Sequence, residues 1–180
     1  MLPGAQHLQN LHPLIIHFPL AYLCGAARLY VAAWLLKRDS FAHSAFVALV
    51  MGALSLAVAV ATGLYAEQGV MLALSVREHL LRPHKTAMLA TLAICAMLTI
   101  WAIVARPFPK KGRGLFLFLL LVMIGVMTVG ADFGGRMVYD YNAGGTACRQ
   151  PIQFTKSTFQ NDGWSLFQQI KLHPMVRNAS

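Results

Sequence analysis

Charge is what this chain has least of. Only 12% of its 180 residues are Asp, Glu, Lys or Arg, and just six are acidic. Soluble domains carry about a quarter charged residues, so an ordinary soluble domain is excluded. Cysteine is scarce as well. Three of them make no disulfide framework, and the absence of any Cys-x-x-Cys-His excludes encoded covalent c-type haem attachment. Cys24 and Cys95 fall inside apolar runs, where a thiol serves as a small packing group. Cys148 stands in the polar C-terminal stretch without an evident partner. No internal repeat or low-complexity tract is evident. The apolar runs also lack paired charges and broken-helix symmetry, which argues against a transporter.

What the chain does have is long apolar runs. Four stretches, roughly 14–36, 41–65, 86–105 and 115–133, meet the requirement of about 20 mostly apolar residues per bilayer crossing. The expected fold is all-α, an integral membrane four-helix bundle over residues 1–145. A polar tail at 146–180 is expected to be mostly extended and to dock on a partner. Residues 165–171 could form one short helix within it. Residues 1–10 lack a basic lead, and the first apolar run lacks a clear cleavage site, so that run reads as a retained span. Residues 70–81 are apolar but too short to cross, with Arg77, Glu78 and His79 near their end. They read as a short interfacial helix that Pro83 ends.

The formal charge of +9 could suggest nucleic acid, but its placement suggests orientation instead. Lys37 and Arg38 follow the first span, and Arg106, Lys110, Lys111 and Arg113 separate the third from the fourth. In an antiparallel bundle these two loops share a side, which the positive-inside rule makes cytoplasmic. Both termini are then periplasmic. Nucleic acid is not an expected partner. Arg28 stands within the first span and is expected to face the bundle, a neighbouring subunit or a lipid headgroup.

Histidine is the residue type most conspicuously placed. His12 and His17 open the first span, and His79 and His84 precede the third. Imidazole near hydrocarbon is costly unless hydrogen-bonded or ligated, and two imidazoles between helices can take both axial positions of a b-type haem. The first and third spans run the same way, so their histidines share a depth. His12 and His17 are five residues apart, about 140° around a helix, and cannot both face one partner. Lying farther into the span, His17 is the preferred ligand with His84. A second site would use His12 and His79. Pro19 is expected to kink the first span near His17. His43 and His173 are not expected to be ligands. Beyond the fourth span, Arg136 beside Gly135 either clamps a haem propionate or pairs with a neighbouring Asp to cap the helix. Tyr139 and Tyr141 suit an interfacial aromatic belt.

The segments His-Pro-Leu-Ile-Ile-His-Phe-Pro-Leu (12–20), His84 at the head of the third span, and Gly-Gly-Arg-Met-Val-Tyr-Asp-Tyr-Asn-Ala-Gly (134–144) resemble the bacterial four-helix membrane family known as domain of unknown function 2231, over roughly residues 10–145. The resemblance marks His12, His17, His84, Gly135 and Tyr139 as motif positions. It also implies redox company, because some members are fused to c-type cytochrome or Rieske iron–sulfur modules. The expected function is that of a non-catalytic inner-membrane subunit holding one haem b, or two. It would relay electrons between quinol or a membrane partner and a periplasmic cytochrome or iron–sulfur protein, with lipid and quinone as further contacts. The alternatives are a cofactor-free accessory subunit of a respiratory or photosynthetic complex, and a copper or zinc site built from His12, His17, His79 and His84.

Overall fold

A computed structural model describes residues 12–68, 72–141 and 143. The expected tail at 146–180, with its short helix at 165–171, lies outside the described residues. Among them the chain is all helix: α1 (His12–Ile15), α2 (His17–Leu36), α3 (Asp39–Glu67), α4 (Leu74–Val76), α5 (Arg82–Ala105) and α6 (Arg113–Tyr141), with a π-helical turn at Arg77–Leu81. Four helices are long and apolar enough to cross a membrane: His12–Leu36, Asp39–Glu67, Leu74–Ala105 and Arg113–Tyr141.

Two local details differ from the sequence expectation. The segment ahead of the third span is helical, but it runs into α5 without a break. Pro83 therefore does not end it. A wider π turn just upstream leaves the carbonyls around the proline free of an i→i−4 demand, which is how such a ring is accommodated. The fourth helix also continues through the glycine-rich stretch to Tyr141, so that stretch is not a turn. α1 and α2 part at Ile16, three residues before the buried Pro19, although Ile16 itself keeps right-handed helical angles, φ −60° and ψ −22°.

The helices form two hairpins, α2 against α3 and α5 against α6, joined mainly through α3 and α5 and through α2 and α6. Glycine closes both. A Cβ on Gly52 would lie 2.5 Å from Leu23 Cδ2, and one on Gly130 would lie 2.9 Å from Ala87 Cβ. Small residues bring helices together where lipid supplies no hydrophobic drive. The turn out of α2 needs Lys37 in the left-handed region, φ 52°. Asp39 then opens α3, where a carboxylate suits the helix dipole.

At the basic-loop end an aromatic cluster fills the bundle. The fully buried Tyr30 and Phe116 lie with ring centroids 5.0 Å apart, edge to face. Phe108 and Trp101 pack on the same pair. Tyr30 donates its hydroxyl to the Pro107 carbonyl at 3.1 Å, and the Arg113 guanidinium lies 4.7 Å above the Phe108 ring. Trp101 also rests on Gly112, whose φ of +76° favours glycine at the start of α6. At the other end a smaller apolar cluster of Val76, Leu80 and Met137 ties the π turn to the end of α6.

Candidate functional site

Each hairpin presents one histidine at the start of its first helix to a glycine near the end of its second. His12 opens α1 and lays its ring on Gly63 of α3, where a Cβ would fall 2.9 Å from the ring's Cε1. His84, in the first turn of α5, lies on Gly134 of α6, again 2.9 Å from Cε1 to a Cβ position. Any larger residue at either glycine would push the ring aside.

The hydrogen bonds fix more than position. His84 Nδ1 is 2.7 Å from the Gly130 carbonyl. A carbonyl only accepts, so Nδ1 carries the proton and donates it. On the first hairpin, His12 Nδ1 is 3.3 Å from Thr62 Oγ1. The Thr62 hydroxyl spends its own proton on the Ala59 carbonyl at 3.0 Å, so its oxygen accepts from Nδ1 here too. In both neutral rings the proton sits on Nδ1 and the Nε2 lone pair remains available.

The two halves match in register. Ala59 and Gly130, whose carbonyls terminate the two chains of hydrogen bonds, each lie four residues before the glycine under the ring. Gly63 and Gly134 follow their histidines at spacings that differ by a single residue. Each hairpin thus contributes a histidine, a glycine under its ring and a backbone carbonyl four residues before that glycine, reached through the Thr62 hydroxyl in the first and directly in the second.

The halves also meet. One helical turn beyond Gly63, Glu67 receives Lys85 Nζ at 3.0 Å on both carboxylate oxygens, joining the end of α3 to the residue beside His84.

The other sequence-predicted residues stand elsewhere. His17 is exposed, with Nδ1 3.4 Å from the Leu14 carbonyl in its own segment. His79 is exposed in the π turn and donates to the Ser75 carbonyl at 2.8 Å. Arg136 pairs with Asp140 at 3.7 Å, both half-exposed. A Cβ at Gly135 would meet only Tyr139 Cδ2, at 4.0 Å, and Tyr139 is 87% exposed. His43 is exposed and bonded to the Asp39 carbonyl. Among the described residues, then, His84 has His12 as its counterpart rather than His17, and the glycine that matters to its ring is Gly134 rather than Gly135. Thr62, Gly63, Gly130 and Gly134 were not picked out from the sequence. The signal that could have found them is the nearly equal histidine-to-glycine spacing in the two halves.

Among the described residues no three of His, Cys, Asp and Glu come together as a metal-binding group. The site presents two imidazoles, one from each hairpin. No curated protein and no solved structure matches the chain. A family model described as "Predicted membrane protein (DUF2231)" matches residues 8–147, most of the chain, and the chain belongs to that family.

Proposed function

We propose that this membrane protein holds one haem b between His12 and His84 and serves as an electron-transfer subunit of a larger redox complex. The observation that carries the reading is the matched pair of imidazoles. They stand on opposite hairpins, each with Nδ1–H committed to a fixed protein acceptor and Nε2 left with its lone pair. Such an outer hydrogen bond sets the tautomer and strengthens the ring as a ligand. A haem would take two imidazole ligands from the protein, and His12 and His84 would hold it, one from each hairpin. Held by two histidines, it would supply one-electron transfer rather than binding of substrate or oxygen.

The basic loops orient the site towards the periplasmic face of the inner membrane by the positive-inside rule. Electrons would then pass between quinol or a membrane subunit and a periplasmic c-type cytochrome or iron–sulfur protein. Lys85, one residue from His84, is a fixed positive charge beside the site, and its bond to Glu67 couples the two hairpins there.

The test is a reduced-minus-oxidised spectrum, with a pyridine haemochrome assay, on purified wild type, His12→Ala, His84→Ala and His17→Ala. Wild type and His17→Ala should show the α and Soret bands of low-spin haem b, and the other two should lose them. A wild type without haem, or haem retained unchanged in both His12→Ala and His84→Ala, would overturn the reading. The first of those results would favour a cofactor-free accessory subunit.

A further inference from the structure

Away from the histidines, one basic group well inside the first span has no ion-pair partner among the described residues. Arg28 lies exposed on α2, eight residues before its end at Leu36, or about 12 Å along the helix. A guanidinium keeps its charge in proteins, and charge within the hydrocarbon region is costly unless paired. The ion pairs among the described residues are Arg82–Glu78, Lys85–Glu67 and Arg136–Asp140. Arg28 takes part in none of them.

Arg28 borders an open groove of about 440 Å³ between α2 and α6, floored by Cys24, Val31 and Leu35 on one helix and Leu121 and Ile124 on the other. From Leu35, next to the basic-loop end, to Cys24, its deepest residue on α2, the groove runs about 16 Å. That is half of a hydrocarbon core about 30 Å thick, the depth that the acyl chains of one leaflet occupy.

We propose that this groove is a binding site for an anionic phospholipid, with an acyl chain along the α2–α6 seam and its phosphate paired with Arg28. Three observations select that occupant. The lining is apolar apart from the one cation, which matches a lipid's tail and head. Lys37 and Arg38 stand at the same end of α2, so anionic headgroups are drawn to the border that the Arg28 side chain reaches by snorkelling. A second copy of the chain answers poorly, because the described acids Asp39, Glu67, Glu78 and Asp140 lie at or near helix ends and Asp132 lies towards the far end of α6, none of them at the depth of Arg28.

The experiment places the purified full chain in phosphatidylcholine vesicles containing trace phosphatidylglycerol or phosphatidylcholine, each spin-labelled near the end of one acyl chain. The readout is the motionally restricted fraction. Phosphatidylglycerol should be restricted about fivefold more strongly than phosphatidylcholine, as one paired cation supplies. Arg28→Gln should remove most of that preference, whereas Lys37→Gln should remove only part. Ala32→Trp, which fills the groove and leaves every charge in place, should also abolish it. Unchanged selectivity in Arg28→Gln and Ala32→Trp would overturn the site. So would equal indifference to both lipids in the wild type, the result expected of a face covered by another subunit's helix.

Discussion

At the basic-loop end of the bundle, Tyr30, Phe108, Phe116 and Trp101 pack ring on ring, and the single buried hydroxyl donates to a backbone carbonyl. At the far end the rings are imidazoles, laid on glycines instead of on one another. Both ends use flat side chains, across the hairpins at the aromatic end and within each hairpin at the imidazole end, yet only one completes its bonding internally. The aromatic end has no valence left over, while each imidazole keeps a lone pair after its proton is placed. The difference separates a region that holds the helices together from one that can hold something else.

Substitutions at the two ends should therefore read out differently. Phe116→Ala should have the largest effect on folding, about 3 kcal/mol from the cavity it leaves, seen as a lower unfolding midpoint in detergent. The spectrum of the proposed haem in the surviving folded fraction should be unchanged. A spectral shift in that fraction would show that the ends are not independent. Gly134→Val should cost about 2 kcal/mol through overpacking against His84 and, unlike Phe116→Ala, should displace the ring and lower haem content per folded molecule. Tyr30→Phe should cost about 1 kcal/mol by leaving the Pro107 carbonyl without its donor, again without spectral consequence. Thr62→Ala should barely move the unfolding midpoint, but it should weaken haem retention about tenfold as His12 loses the acceptor that orients it. If Thr62→Ala changed stability alone, the hydroxyl would be a packing group and the contrast between the ends would fade.

The sequence made the framework legible. Apolar runs located four helices, the basic residues marked the shared loop end, and span-start histidines pointed to the opposite end. It did not reveal which histidine turns inward. His17 looked deeper because depth was counted along one continuous helix. In the structure Ile16 keeps helical angles and His17 does lie farther along, yet its side chain is exposed, whereas His12, the first residue of α1, faces Gly63 across the hairpin. Contacts of that kind depend on which helices are neighbours and in what register, and no single apolar run carries that information. The glycines were hidden for the same reason. Gly63 and Gly134 resemble any small residue on a membrane helix until a ring is placed on them. Pro83 misled differently, because a π turn absorbed the proline that would otherwise end a helix.

The matched register of the two hairpins has a consequence for assembly. Neither hairpin carries both nitrogens, so whatever bridges them recognises only the finished bundle and stabilises it by mass action over the separated halves. A bound bridging group would act as a clasp fastened after insertion, and its occupancy would report whether the two halves of the chain had found each other in the membrane.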